Sequence, residues 1–261
     1  MMRITKQYND LYLLLATLFV WTIYAAFYDF FQNVHYASVI PGYMSLVGEA
    51  GLDFVAAGFA FVICKKTEVN KTFFMLLCVS LLAATLSDFI YNEVLNIHRI
   101  TAFGIATDSL WDVPFAIFLT LQALAWGVLF FQNSKIMAKK FSVYIPYLIV
   151  GVTIFCIFTY GINWKINQLS TLGWYENIDT MMEALGFIFA SFCLIQSREN
   201  GIKYLATGYL LVISSDFIIR YSVVTASLQP GNPMETTWTL GLLIMILGLF
   251  ASQRIDLKKN Y

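Results

Sequence analysis

A repeated motif places an aspartate inside strongly apolar sequence, and this feature constrains the fold of the chain more than any other. The tetrapeptide Ser-Asp-Phe-Ile occupies residues 87–90 and again residues 215–218, at a separation of 128 residues, and Trp111 recurs as Trp238 at a separation of 127. Each copy reads as the end of one apolar helix, a polar loop and the start of the next apolar helix. Because an ionisable residue in a membrane helix is unfavourable in lipid, this placement indicates a functional site.

The composition indicates an integral membrane protein. Of the 261 residues, 59% are hydrophobic and only 12% are charged, and the formal net charge is zero. Such values are typical of a membrane protein rather than of a soluble domain. No basic block is longer than a Lys-Lys pair, so the sequence does not predict a nucleic-acid partner. The lipid bilayer is therefore the first partner that the sequence predicts.

Eight apolar segments each approach the roughly 20 residues that a helix needs to cross a membrane. They run from Leu11 to Phe31, Gly42 to Cys64, Thr72 to Tyr91, Trp111 to Phe131, Ser142 to Gly161, Tyr175 to Gln196, Ile202 to Tyr221 and Thr237 to Ser252. We therefore predict an all-α polytopic membrane protein with eight transmembrane helices. A signal peptide is the alternative for the first segment, but its apolar run is longer than a usual signal core.

The basic residues are distributed unevenly between the two sides of the predicted membrane. Thirteen of the 16 lysines and arginines fall before the first segment, after the last, or in the second, fourth and sixth loops. Only Arg99, Lys165 and Arg220 fall on the opposite side. The positive-inside rule then places both termini in the cytoplasm, and an even number of helices agrees with this orientation.

The internal match extends to the acidic residues of two further segments. Glu49 and Asp53 of the second segment precede Asp179 and Glu183 of the sixth segment by 130 residues in each case. The offset then falls to 128 at the aspartate motif and 127 at the tryptophan, as short loop deletions in a duplicated chain would leave it. Chance identity between short apolar stretches is the alternative.

A duplication defines the predicted domain organisation. Residues 1–133 form the first four-helix repeat and residues 134–261 the second, within one membrane domain. Because four is an even number, both repeats enter the membrane in the same direction, as in proteins with parallel repeats.

The membrane acids fall in the outer half of the predicted bundle. Glu49 and Asp53, like Asp179 and Glu183, are spaced i, i+4, so each pair shares one helix face. Two carboxylates at low dielectric cannot both be ionised without a counter-charge. We therefore predict a ligand cavity open to the extracytoplasmic side. Its predicted lining residues are Glu49, Asp53, Asp88, Tyr91, Trp111, Asp112, Asp179, Glu183, Asp216, Arg220 and Trp238.

Structural interpretations remain open for several of these residues. Asp112 and Asp179 suit the start of a membrane helix, where the helix dipole stabilises a carboxylate. Asp216 and Arg220 are one helical turn apart and suit an ion pair. Trp111 suits an anchor at the membrane interface.

Motifs of common enzymes and cofactor sites are absent from the sequence. It contains no GxSxG, HExxH, Walker or CxxC pattern, and only two histidines. We predict no catalytic residue, no cofactor and no metal site, with an outer-face metal site involving His35 and His98 as the alternative. The chain is therefore expected to have no catalytic activity of its own.

The repeated motif has the form (S/A)-D-hydrophobic-hydrophobic-Tyr, a loop, and D-x-x-W opening the next helix. In the first half it comprises Asp88, Tyr91, Asp108 and Trp111. This pattern resembles the multi-helix N-terminal sensory domains of bacterial diguanylate cyclases, phosphodiesterases and histidine kinases. The resemblance covers the whole chain as an eight-helix unit.

The second half departs from that pattern. It retains Asp216 and Trp238, but Ile219 stands at the tyrosine position and Glu235 is a looser counterpart of Asp108. The resemblance implies a signal-input module in the bacterial inner (plasma) membrane. The given sequence ends seven residues after Arg254. Two expectations follow: either a cytoplasmic output domain belongs to the module and is not included in this sequence, or the module stands alone and signals through a partner protein or as a homodimer.

Two functions therefore follow from the sequence. The first is a sensory or receptor module that binds an unidentified small ligand from the extracytoplasmic side and transmits helix movement to the cytoplasm. The second is a proton- or cation-coupled secondary transporter. The inner halves of the helices favour sensing, because they hold few polar residues. The main ones are Thr120, Gln122, Thr153, Ser191 and Thr207.

Overall fold

A computed structural model describes residues 2–34, 40–90, 105–137, 173–224 and 233–259, which are helical apart from two short turns. Within these ranges no strand occurs. The helices are α1 (Met2–Val34), α2 (Ile40–Leu46), α3 (Leu52–Lys66), α4 (Lys71–Ile90), α5 (Ile105–Met137), α6 (Gly173–Gln196), α7 (Asn200–Val224) and α8 (Pro233–Lys259). One π-helical turn, Val47–Gly51, joins α2 to α3.

Six stretches of the described helices are long and apolar enough to cross a membrane. They are Tyr12–Phe31, Tyr43–Lys66, Lys71–Ile90, Val113–Gln132, Asp179–Gln196 and Thr236–Gln253. The prediction of an all-α protein with membrane spans is confirmed at this level, since these stretches correspond to six of the eight predicted segments. The predicted fifth segment lies outside the described residues.

The predicted seventh segment forms most of α7 but is not among the six spans. The helix has 25 residues, which is long enough to cross a bilayer. Lys203 and Asp216 lie within it and lower its mean hydropathy.

The six helices α3 to α8 form a closed ring. Each packs against the next in chain order, and α8 returns to pack against α3. Helix α1 lies outside this ring, against α8 and α2. Most of its side chains are exposed in the protein alone, including large apolar ones such as Phe19 at 67%, as expected for a helix that faces lipid.

Two tight turns fix the antiparallel neighbours at one end of the ring. Between α3 and α4, the Thr67 amide donates to the Ile63 carbonyl at 2.9 Å and the Val69 amide donates to Thr67 Oγ1 at 3.1 Å. These bonds satisfy a carbonyl group at the end of α3 and hold the chain in position to begin α4.

The turn between α6 and α7 makes the same two hydrogen bonds. The Ser197 amide donates to the Cys193 carbonyl at 2.9 Å, and the Glu199 amide donates to Ser197 Oγ at 3.1 Å. Both hydroxyl residues sit 130 positions apart, the offset that also relates the paired membrane acids.

Glycines set the spacing between α7 and α8. A Cβ on Gly208 would lie 2.5 Å from the Gly241 carbonyl oxygen, and one on Gly248 would lie 2.6 Å from the Leu205 nitrogen. Only glycine allows two helix backbones to approach so closely, and such contacts drive helix association in membranes.

Large apolar side chains fill the ring at the end that carries the two turns. Trp126 of α5 packs against Phe73 of α4 and Tyr209 of α7, with ring centroids 5.2 and 5.6 Å apart. Leu77 and Leu129 are fully buried in the same core. We name this the apolar end, and the opposite end, where α3 and α6 begin and α4 and α7 finish, the acidic end.

Candidate functional site

Two aspartates from neighbouring antiparallel helices meet at the acidic end. Asp53 lies near the start of α3 and Asp88 near the finish of α4, so the hairpin brings them to the same level. The two carboxyl groups interact with each other, and Asp53 is only 1% exposed. Neither Asp53 oxygen makes a hydrogen bond of ordinary length within the described residues. Two neighbouring carboxyl groups can form such a bond only when one of them carries a proton.

The motif aspartates of the two halves both lie toward the acidic end of the ring. Asp216 of α7 interacts electrostatically with Asp88 of α4, although these helices occupy opposite positions in the ring. Glu49 in turn interacts with Asp53. We name these four residues, Glu49, Asp53, Asp88 and Asp216, the carboxyl cluster.

Glu49 reaches the cluster from a π-helical turn rather than from an α-helix. The turn Val47–Gly51 contacts both α4 and α8. The α-helical geometry predicted around Glu49 is therefore corrected to a π-helical turn, and Glu49 still interacts electrostatically with Asp53, four residues on. Glu49 is half-buried, whereas Asp53 is buried. Single π-turns inside helices occur frequently at functional sites.

Aromatic residues of α1 hold this turn in place. The Tyr24 hydroxyl donates to the Met44 carbonyl at 3.2 Å and lies directly over Gly48, where any Cβ would collide with it. The Trp21 indole donates to the Thr236 carbonyl at 2.7 Å. Helix α1 thus fixes both the turn that carries Glu49 and the first residues of α8.

The second half places its own pair of acids on α6. Asp179 and Glu183 are both buried, and Glu183 interacts electrostatically with Tyr209 of α7. The Tyr209 hydroxyl lies against Gly186, where a Cβ would collide with it. In both halves an acidic residue therefore interacts with a polar group on the next helix, but the partner is a tyrosine in the second half.

An aromatic layer crosses the ring below the carboxyl cluster. The Trp238 ring of α8 lies 6.3 Å from Phe115 and 6.4 Å from Phe118 of α5, measured between centroids. Trp238 is buried, and its indole nitrogen has no hydrogen-bond partner among the described residues. We name these three residues the aromatic layer.

Further polar groups lie deeper in the ring. Gln122 of α5 is completely buried, and neither amide atom has a hydrogen-bond partner within the described part of the chain. The Trp126 indole nitrogen and the Tyr209 hydroxyl are also buried without a hydrogen-bond partner among the described residues. The sequence marks Gln122 as an isolated amide in an apolar run. It gives no such signal for the two aromatic residues, because aromatic side chains in a membrane helix usually indicate packing.

Four predicted site residues have no described side chain. Tyr91 lies outside the described residues, while Trp111, Asp112 and Arg220 belong to described helices without described side chains.

The observed helix boundaries change the interpretation of two acids. Helix α5 begins at Ile105 and α6 at Gly173, so Asp112 and Asp179 lie beyond the first turn of their helices. The interpretation of these two residues as helix-start carboxylates is therefore wrong. Both helices extend further beyond the apolar run than hydropathy indicates, which leaves Asp179 inside the bundle instead of at its rim.

Among the side chains that the structure describes, basic and acidic groups are distributed unevenly along the ring axis. The basic residues whose side chains are described are all exposed and lie at the apolar end. They are Lys65, Lys66, Lys71, Arg198 and Lys203. The buried and half-buried acids all lie toward the acidic end. In the described residues, no three or more His, Cys, Asp and Glu side chains are arranged to hold a metal ion.

Comparison of the chain with protein-family models, with curated proteins and with solved structures found no match.

Proposed function

We propose that this chain is a sensory module of the bacterial inner membrane that binds a small ligand at the acidic end and transmits helix movement to the cytoplasm. The observation that carries the proposal is the electrostatic interaction between Asp88 and Asp216, which belong to helices on opposite sides of the ring. Buried acids are costly in a membrane protein and typically mark ligand or ion sites. A ligand between α4 and α7 would bridge both halves of the chain.

The proposed topology has eight transmembrane helices in two parallel four-helix repeats, with both termini cytoplasmic. The matched hydrogen bonds of the two turns support the repeat. So does the order of the ring, because the contacts α3–α4, α4–α5 and α5–α6 have counterparts in α6–α7, α7–α8 and α8–α3. The basic residues at the turns support a cytoplasmic apolar end.

Helix movement follows from the position of the cluster. Its members come from the π-helical turn, α3, α4 and α7, so a ligand that contacts several of them alters the distances between these elements. Helices move as rigid rods, and α7 and α8 are joined along their glycines, so a shift at the acidic end reaches the turns at the apolar end. A cytoplasmic output domain, a partner protein or a second copy of the chain would receive the signal there.

A proton- or cation-coupled transporter is the second candidate. The buried groups Gln122, Trp126 and Tyr209 favour it, because they extend hydrogen-bonding capacity below the aromatic layer. A transporter also needs a polar route to the other side of the membrane. At the apolar end, where such a route would leave the ring, the side chains of Phe73, Leu77 and Leu129 are apolar and fully buried. This packing favours the sensor.

Thermal denaturation in lipid nanodiscs tests the proposal, with a library of water-soluble metabolites as probes. We expect some probes to raise the melting temperature of the parent chain but not of Asp88→Asn or Asp216→Asn. Glu68→Gln is the matched control, because it removes the same charge from an exposed side chain at the apolar end. The proposal fails if every stabilising probe acts equally on the two aspartate variants.

Hydrogen exchange and uptake separate the two candidate functions. For a sensor, a stabilising probe changes amide exchange in residues 67–70 and 197–199, far from its site, and does not accumulate in proteoliposomes. For a transporter, the same probe accumulates inside the vesicles when a proton gradient is applied.

A further inference from the structure

A groove runs along the outer surface of the ring between α5 and α6. Leu124 and Phe131 of its wall are 52% and 61% exposed, so the groove opens away from the ring interior. A Cβ on Gly127 would lie 3.4 Å from the Phe189 ring, which places the two helices at the same level there. The apolar lining residues are Ala123, Leu124, Gly127, Val128, Phe131 and Phe189.

The dimensions of the groove match the hydrocarbon chain of a lipid. Both walls belong to stretches that are apolar enough to cross a membrane, Val113–Gln132 and Asp179–Gln196. From Ala123 to Gln132 the groove follows nine residues of α5, roughly 14 Å. This length is close to half of a hydrocarbon core of about 30 Å, the share of one leaflet. The groove volume of about 540 Å³ is that of a ligand pocket.

Polar residues mark only one end of the groove. Gln132 lines it at the apolar end of the ring, and its side chain is exposed. Measured from the level of Gly127 and Phe189, Gln132 is roughly 8 Å along α5, and α6 finishes at Gln196, roughly 10 Å along. Arg198 follows in the turn after α6 and is exposed. An amide and a guanidinium group therefore lie where the apolar lining stops.

The charges near this end favour an anionic headgroup. Arginine binds phosphate oxygens through charge-assisted hydrogen bonds. Lys135 stands in α5 three residues after Gln132, roughly 12 Å from the level of Gly127 and therefore at the level of Arg198. Glu199 is the neighbouring acidic residue and offsets one of these two positive charges. The net charge of this group of three residues is positive, as in sites for anionic lipids.

We infer that the groove between α5 and α6 binds an anionic phospholipid, with one hydrocarbon chain along Leu124, Gly127 and Phe131 and the phosphate beside Arg198. The apolar lining contributes affinity for any phospholipid, because it removes a hydrocarbon chain from disordered lipid and holds it against rigid helices. Arg198 supplies the preference for a headgroup with a net negative charge. This inference goes beyond the proposed function and does not depend on the carboxyl cluster.

Native mass spectrometry of the full chain, released from detergent micelles, tests the inference. The probes are dioleoyl phosphatidylglycerol, which is anionic, and dioleoyl phosphatidylcholine, which has the same chains and no net charge. We expect one phosphatidylglycerol to bind at least about fivefold more tightly than phosphatidylcholine, the effect of one basic residue on an anionic lipid. Equal affinities for the two lipids would overturn the inference.

Filling the groove locates the hydrocarbon chain. Gly127→Leu places a branched side chain in the groove and should weaken phosphatidylglycerol binding by at least about tenfold, because the lipid chain and the new side chain need the same space. Gly58→Leu is the matched control. Nothing lies within 4 Å of the Gly58 Cβ position, which belongs to α3, so this change should leave the affinity within about twofold of the parent. Equal affinities for the two variants would overturn the inference.

Changes of charge locate the headgroup. Arg198→Gln should weaken phosphatidylglycerol binding by about fivefold and leave phosphatidylcholine binding within about twofold. Lys66→Gln is the matched control, because it removes an exposed basic residue from the same end of the ring beside the other turn. Glu199→Gln should bind phosphatidylglycerol as tightly as the parent or more tightly. An equal loss in Lys66→Gln and Arg198→Gln would overturn the placement and with it the inference.

Two measurements exclude misfolding and other occupants. The melting temperature of Gly127→Leu in detergent without lipid should be no lower than that of the parent, because leucine favours a helix over glycine. A lower value would mean that other residues of the chain fill the groove, and it would overturn the inference. So would a dimer in the mass spectrum of the parent that Gly127→Leu abolishes, because a second copy would then be the occupant.

The outcomes are separate from those of the proposed function. Asp88→Asn should retain phosphatidylglycerol binding, since the carboxyl cluster lies at the opposite end of the ring. If phosphatidylglycerol binding fails while a metabolite stabilises the parent chain in an Asp88-dependent manner, the sensor remains and the lipid site is wrong.

Discussion

The two ends of the helix ring differ in the kind of side chain that they bury. At the apolar end, fully buried side chains such as Trp126 and Leu129 meet at van der Waals contact, and two tight turns satisfy the backbone. At the acidic end, carboxyl groups from α3, α4 and α7 interact electrostatically with one another. One end supplies stability, while the other holds groups that oppose it, as ligand sites commonly do.

The largest expected effect lies at the apolar end. Trp126→Ala removes a completely buried ring that contacts Phe73 and Tyr209. We expect the free energy of unfolding to fall by about 3–5 kcal/mol, the usual result of replacing a buried aromatic residue with alanine. Unfolding in mixed detergent micelles, followed by circular dichroism, measures this loss.

Phe131→Ala is the control for that substitution. Phe131 lies on the same helix but is 61% exposed, so it faces lipid rather than the ring. Its removal should change the unfolding free energy by less than about 1 kcal/mol. Equal losses for the two variants would show that the apolar end is not the source of stability.

The glycine contact between α7 and α8 gives the next largest effect. A Cβ on Gly208 meets the Gly241 carbonyl oxygen at 2.5 Å and the Met245 nitrogen at 2.7 Å, and these backbone atoms move only if the helices separate. Gly208→Ala should therefore lower the unfolding free energy by about 1–3 kcal/mol. Gly58→Ala is the control, since nothing lies within 4 Å of its Cβ position and alanine favours the helix. A neutral Gly208→Ala would refute the close packing.

A change at the acidic end should act in the opposite direction. Asp53→Asn keeps the shape of a buried side chain, removes one charge and supplies an amide that donates to the Asp88 carboxyl. We expect the unfolding free energy to rise by about 1 kcal/mol, the worth of one hydrogen bond, while the binding of a stabilising probe weakens. Detergent unfolding and calorimetry on the same preparation measure both. A stability loss above about 1 kcal/mol would instead make Asp53 a structural residue.

Much of the architecture was predictable from the sequence because membrane helices are specified by hydropathy. Apolar runs located six spans, and alternating helix direction placed Asp53, Asp88 and Asp216 toward one end. The sequence predicts that Asp88 and Asp216 line one cavity, but not that α4 and α7 occupy opposite positions in a ring, since sequence does not specify which helices face each other.

Other details had no usable sequence signal. The stretch Val47–Gly51 reads as ordinary α-helix, and its π-helical bonding accompanies contacts with Tyr24 of α1 that are distant in sequence. The apolar runs place the start of α5 and of α6 later in the sequence than the structure does, because a helix continues beyond its apolar run where neighbouring helices support it. Tyr209 was missed because its burial against Gly186 is a property of the packing.

The smallest expected effects lie in the two turns at the apolar end. Thr67→Ala and Ser197→Ala each remove the hydroxyl oxygen that accepts the Val69 or Glu199 amide. Each should lower the unfolding free energy by about 0.5–1 kcal/mol, the net worth of one hydrogen bond. Because the two turns belong to different hairpins, the double variant should lose the sum within about 0.5 kcal/mol. Neither change should alter the affinity for a stabilising probe, since both residues lie at the apolar end. A turn variant that weakened binding as much as Asp88→Asn would show that the two ends are not separate in function, and unequal losses would argue against equivalent repeats.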